Sequence, residues 1–239
     1  MIHIKKNKEP NLKKPKFNCD NKLCSKLDDF ELTKLLNKSH FLSLIGKGGS
    51  GKSSLMISLL KSPEMFKGVY DYIYVFIPPT SRASVQNSFW EKNLPENQIY
   101  DDLTIENLEE VYEHIESNSE NGDKSLIIFD DVQSKMKENN IRKLILHLNN
   151  NKRHLKLSMW LLLQNYTKLD KQIRMNITDI ITFKVSKPEL QNIYEEHIEL
   201  ESKLWDKVQL ILFKKAYDFY YLNTNNQRFF LNWDEIVIE

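Results

Sequence analysis

The sequence predicts an α/β fold with a mainly parallel sheet covered by helices on both faces, and three observations carry that expectation. Short apolar runs, His40–Ile45, Tyr72–Ile77, Ser125–Phe129, Leu157–Leu163 and Asp179–Phe183, alternate with segments whose apolar residues recur at helical spacing. The runs are continuously apolar rather than alternating, as strands buried on both faces require. The first run leads into Gly46-Lys-Gly-Gly-Ser-Gly-Lys-Ser-Ser54, which fits the phosphate-loop template G-x-x-x-x-G-K-[ST] between a strand and a helix. With 239 residues the chain fits one α/β domain.

The phosphate loop sets the chemistry. Its glycines let successive backbone N–H groups turn inward around a phosphate, and a side chain at Gly51 is expected to collide with that phosphate. Gly46, Lys47, Gly48, Gly49, Ser50, Gly51, Lys52, Ser53 and Ser54 are therefore the candidate ATP-binding residues. Lys52 opens a helix whose positive end faces the phosphates, and Ser53 is placed to ligate Mg²⁺. The helix has Leu55, Ile57, Leu59 and Leu60 for burial.

Before the loop, residues 1–18 carry Lys5, Lys6, Lys8, Lys13, Lys14 and Lys16 with Pro10 and Pro15. They read as a basic flexible arm, either a solvated tail or a segment that docks on DNA or a partner, ahead of a single ATPase domain over 19–239. Phe30–Leu36 reads as a short helix. Cys19 and Cys24 lack a second pair of ligands at zinc spacing and read as free thiols. Net charge is +1, so attraction to nucleic acid must come from local patches. No apolar run approaches the roughly 20 residues of a membrane span, and no secretory signal precedes the loop.

After the loop, Pro78-Pro79 stops the second strand, Ser84–Lys92 reads as a short helix, and Ile105, Leu108, Val111, Tyr112 and Ile115 mark a longer one. The third strand ends in Asp130-Asp131. Asp130 is expected beside Ser53, at the ends of neighbouring strands, as a metal-side acid; Asp131 points elsewhere and can orient or deprotonate an attacking water. As an alternative, the two acids cap the following helix, which carries Ile141, Leu144, Ile145 and Leu148. Gln164 ends the next apolar strand at the same sheet edge, within reach of a γ-phosphate or the lytic water. Pro188 opens a helix, Leu204–Lys215 reads as another, and Tyr217–Leu222 with Arg228–Trp233 reads as a β-hairpin, within a C-terminal part of about 188–239.

The set GKGGSGKSS, SLIIFDDV and RHLKLSMWLLLQNY, followed by Ile173-Arg-Met-Asn176, resembles the viral genome-packaging ATPases of the FtsK-HerA class, the poxvirus-type enzymes of large DNA viruses and virophages. The resemblance runs from about Phe30 to the C-terminal hairpin. It implies a RecA-like core with the Walker A and Walker B elements, Mg-ATP hydrolysis, a homo-oligomeric ring expected to be hexameric, and translocation of double-stranded DNA into a capsid through contacts with capsid or portal-vertex proteins. It also implies a sensor role for Gln164 and makes Arg153 a candidate arginine finger acting on a neighbouring subunit, with Arg174 in reserve. Host cytoplasm or a viral factory, with association to the virion, is the location it implies. No winged-helix DNA-orienting domain of the cellular kind is found, so direction is expected to depend on partners. Two other functions share the loop: a small-molecule or nucleoside kinase, and a nucleotide-dependent switch with negligible turnover.

Overall fold

The computed structural model describes residues 2–5, 39–84 and 89–238. The helix expected over Phe30–Leu36, both cysteines and most of the basic arm lie outside them.

Among the described residues, ten strands form a single sheet in the order β1-β10-β9-β8-β7-β2-β6-β5-β3-β4. The strands are β1 (Ile2–Lys5), β2 (Phe41–Ile45), β3 (Tyr72–Phe76), β4 (Ile99–Tyr100), β5 (Ser125–Asp130), β6 (Leu157–Leu163), β7 (Asp179–Phe183), β8 (Phe219–Asn223), β9 (Arg228–Leu231) and β10 (Asp234–Ile238). From β7 to β4 the pairing is parallel, and from β7 to β1 it is antiparallel.

Every residue of β2, β5, β6 and β7 is buried, because helices cover both faces. On one face the helix Lys52–Lys61 lays Met56, Ile57 and Leu59 against Leu42, Leu44, Ile128, Trp160 and Leu162. On the other, the helices Ile105–Asn121 and Asn139–Asn151 bring Leu108, Val111, Ile141 and Ile145 onto Phe41, Ile45, Ile127, Met159 and Leu161. Odd and even positions of one strand thus feed different cores. Each large apolar side chain so buried contributes roughly 1.5–3 kcal/mol.

The helix ends follow local chemistry. Thr104 caps Ile105–Asn121 by accepting the Asn107 N–H at 3.2 Å, and Gly122 closes it with φ 95°. Lys52–Lys61 stops at Ser62, which is extended because Pro63 follows.

The structure departs from the sequence expectations at the margins. Ile2–Lys5, inside the expected flexible arm, pair antiparallel with β10 from Ile2↔Ile238 to Lys5↔Glu235. Of the helix expected over Ser84–Lys92, Ser84 lies in the helix Pro79–Ser84 and Phe89–Lys92 in the helix Phe89–Asn93, while residues 85–88 lie outside the described residues. The helix expected over Leu204–Lys215 is Ser202–Gln209. The C-terminal hairpin gains a third strand: the chain turns again at Asn232 and Trp233, with φ 50° and 77°, so that β10 pairs with β9.

The change from parallel to antiparallel pairing falls at β7, where Asp179 is fully buried. Its carboxylate accepts hydrogen bonds from Tyr221 Oη at 2.8 Å, Asn223 Nδ2 at 2.8 Å and Thr178 Oγ1 at 2.7 Å. Burial nonetheless pushes its pKa up to about 6. A carboxyl whose folded pKa is raised binds its proton more tightly in the native state. Its contribution is fully present below the unfolded value and is lost as pH rises through the folded one. Asp179→Asn is therefore expected to gain about 2 kcal/mol on wild type between about pH 4 and about pH 7. Denaturant unfolding of both proteins at the two pH values measures it; a constant difference would refute the assignment.

Candidate nucleotide site

The register of the parallel strands brings three separated sequences to one edge. Ile45 pairs with Leu163 and Asp130 with Leu162, and the Gly46 N–H continues the ladder by donating to Leu163 O at 2.9 Å. The phosphate loop, Gln164 and Asp130-Asp131 therefore leave the sheet side by side. β2 and β5 are not neighbours, which corrects the expectation from sequence: β6 lies between them and carries Gln164 into the gap.

The loop is shaped for a wrapped anion. Ser50 N–H donates to Lys47 O at 3.2 Å, and Gly49 and Gly51 have φ 73° and 102°. Gly51 is the residue before the helix, and only glycine adopts that angle without strain. A Cβ there would meet Phe183 and Tyr217 at an ordinary 3.5 Å, so within the protein it is backbone angle that demands glycine. Steric exclusion falls on Gly46, whose Cβ would stand 2.5 Å from Ser50 Oγ and 2.9 Å from Phe183 Cβ. Ser50 Oγ is buried with no hydrogen-bond partner among the described residues, a polar group a bound phosphate could satisfy.

Lys52 is 8% exposed, and its ammonium donates to Gly46 O at 2.7 Å and Lys47 O at 3.0 Å. Burial lowers its pKa, against the pull of Asp130 and Asp131. Lys47, Gly48 and Gly49 are exposed, while Ser53 and Ser54 are half-buried in the first helical turn.

Ser53 Oγ donates to Asp130 Oδ2 at 3.2 Å. Asp130 is 6% exposed, and burial pushes its pKa up to about 6, against the Ser53 hydrogen bond and the Lys52 charge. A hydroxyl and a carboxylate so placed are hard oxygen ligands suited to Mg²⁺, which takes one or two protein oxygens and completes its shell with phosphate and water. Among the described residues no group of three or more His, Cys, Asp or Glu forms a metal cage.

Asp131 has φ 59°, a left-handed angle that Asp tolerates. Gln164 Nε2 donates to Asp131 Oδ1 at 2.9 Å, and Ser81 Oγ donates to Asp131 Oδ2 at 2.9 Å. Both Asp131 and Gln164 are exposed, so water has access to the pair. An ionised carboxylate steadied by an amide can accept a proton from water and hold it in line.

Arg153 sits apart from these groups. It is exposed in the turn before β6, at the opposite edge of the sheet. Arg174 is buried: it pairs with Glu196 at 2.7 Å, and its guanidinium lies 5.0 Å from the Tyr166 ring centre. That pairing engages the Arg174 guanidinium within its own chain.

Three residues went unnoticed in the sequence. Ser81 follows β3 to the same edge, a position signalled only by the strand's end at Pro78. Phe183 ends β7, and Tyr217 precedes the antiparallel β8; no local pattern placed either beside the phosphate loop.

Residues 27–223 match the family model described as poxvirus A32 protein. Among solved structures, the chain is similar to the genome packaging NTPase B204 from Sulfolobus turreted icosahedral virus 2 in complex with ATP-gammaS. The identity is 22%, the TM-score 0.58, and the match covers 82% of this chain and 97% of that one. It is also similar to B204, the DNA-packaging ATPase from Sulfolobus turreted icosahedral virus, at 20% identity and a TM-score of 0.61 over 80% of this chain and 96% of that one. At these identities the likeness establishes the fold. No curated protein matches the chain.

The two acids are expected to separate on mutation. Asp131→Asn should retain nucleotide and Mg²⁺ binding while hydrolysis falls by about a hundredfold or more, the scale of a lost general base. Asp130→Asn should instead weaken metal-dependent binding. Gln164→Ala combined with Asp131→Asn should cost little beyond Asp131→Asn alone, because the two side chains act as one unit. Calorimetry and phosphate release measure these outcomes, and identical behaviour of the two Asp variants would refute the division of roles.

Proposed function

The chain belongs to the poxvirus A32 protein family, and we propose that it is an ATP-hydrolysing motor that drives double-stranded DNA into a viral capsid. The observation that carries the reading is the hydrogen bond between Gln164 and Asp131, directly across from the phosphate loop. It provides for a water nucleophile rather than a phosphoryl acceptor.

The loop N–H groups and Lys52 hold the triphosphate. Ser53 and Asp130 would hold Mg²⁺, which would supply positive charge for the phosphate oxygens. Asp131 takes a proton from the water that Gln164 helps orient, the water oxygen bonds to the γ-phosphorus, and the β–γ bridging bond breaks to leave ADP. Among the described residues, the groups joined to the phosphate loop and the two acids by the hydrogen bonds above include no guanidinium. We assign that part to Arg153 of a neighbouring subunit, since it is exposed and faces away from its own nucleotide. This requires a ring of like subunits, which we propose to be hexameric, around the DNA, with a capsid or portal-vertex protein as its dock. No helix among the described residues is long and apolar enough to cross a membrane.

Steady phosphate release from ATP without any acceptor, stimulated by long duplex DNA, is expected. Turnover that needs an acceptor would favour a kinase, and binding without turnover would favour a switch.

Mixing Arg153→Ala with Lys52→Ala tests the arginine. Each alone should be inactive, and mixed assemblies should regain part of the activity where an intact pocket meets an intact Arg153. Full activity of Arg153→Ala alone would remove it from the mechanism.

A further inference from the structure

The nucleotide site has two sides, and only one is accounted for. Ser53, Asp130, Asp131 and Gln164 all stand on the β6–β5 side of β2. A triphosphate in the loop must turn its γ-end toward these groups, because the metal and the water are handled there. The side of β2 away from these groups is that of β7 and β8.

That side is lined by aromatic rings. Phe183 Cε1 and Tyr217 Cδ1 each lie 3.5 Å from the position of a Cβ on Gly51, at the entry to the helix. Phe183 is 3% exposed and packs against Phe219 at a centroid distance of 5.8 Å, so its ring belongs to the core. Tyr217 is half-buried beside the loop.

The turn that carries Tyr217 is built with care. Tyr217 has φ 65°, an angle unfavourable for a bulky residue and held only where the surroundings impose it. Asp218 supplies that constraint: the Lys215 N–H donates to its Oδ2 at 2.7 Å and Asn232 Nδ2 to its Oδ1 at 2.7 Å. Asn232 Oδ1 in turn accepts the Phe219 N–H at 2.9 Å. The β9–β10 turn thereby fixes the ring next to the phosphate loop. Exposed Lys214 and Lys215 flank it.

We infer that Tyr217 is the base-side wall of the nucleotide pocket, stacking its ring on the nucleobase of the bound nucleoside triphosphate. The inference rests on the phosphate-loop reading above and adds to it a residue from the antiparallel extension. A flat aromatic face accepts any base by stacking, so the contact sets affinity for the nucleoside while the loop sets affinity for the phosphates.

The test uses the full chain and equilibrium titration calorimetry with Mg²⁺ and two ligands, a non-hydrolysable ATP analogue and inorganic tripolyphosphate. Tyr217→Asn removes the ring while keeping a residue that tolerates the left-handed angle. It should weaken the ATP analogue by about ten- to a hundredfold and leave tripolyphosphate unchanged, while Tyr217→Phe keeps both affinities. Should Tyr217→Asn fail to fold, Tyr217→Leu, which retains apolar bulk against Gly51, is read in the same way. An unchanged affinity for the ATP analogue, or an equal loss for both ligands, would overturn the stacking role and leave the ring as mere support for the loop. Wild type that binds neither ligand would overturn the nucleotide site itself, a distinct outcome.

Discussion

The ladder joining β2 to β6 and β6 to β5 fixes where everything else can be. In a parallel sheet all strands point one way, so whatever follows each of them emerges at one edge, and the register decides which residues meet. Here Ile45 faces Leu163 and Asp130 faces Leu162. A slip of one residue would move Gln164 away from Asp131 and would also turn every buried side chain of the strand to the other core. The register is protected because both faces are dry: each strand residue is specified by packing, and the site inherits that precision.

The edge that gathers the phosphate loop and the acids then tolerates features that would be costly in a loop held less firmly. Lys52 and Asp130 are buried ionisable groups whose pKa values burial moves in opposite directions, each toward its neutral form. Their mutual attraction and the Ser53 hydroxyl offset part of that cost. Asp131 is held in a left-handed conformation by two side-chain hydrogen bonds from different segments, Ser81 and Gln164. Such a site is preorganised by its neighbours rather than by its own backbone preference.

The antiparallel extension extends the sheet beyond the strands that carry the acids. Through β8 it buries Tyr220, Tyr221 and Leu222, and through the turns on either side of it the chain returns to the phosphate loop at Tyr217. β7 is the hinge between the two pairing modes. Its Asp179 binds across to β8 at Tyr221 and Asn223, so a buried carboxyl joins the core to the extension.

Much of this was legible in the chain itself. The phosphate loop, the acids ending the third apolar run, Gln164 ending the fourth and the parallel sheet all followed from local pattern, because buried strands and glycine turns leave their marks within a few residues. The family resemblance rested on the same stretches. What the sequence did not determine was adjacency. That β6 separates β2 from β5, that Ser81 holds Asp131, that Arg174 is consumed by Glu196 while Arg153 stays exposed, and that Tyr217 stands beside Gly51 all depend on strand order and on contacts between residues far apart in the chain. A short β4, the third C-terminal strand and the pairing of Ile2–Lys5 escaped for the same reason: a strand of a few residues is stabilised by its neighbour in the sheet, and the identity of that neighbour is settled only when the whole chain has folded.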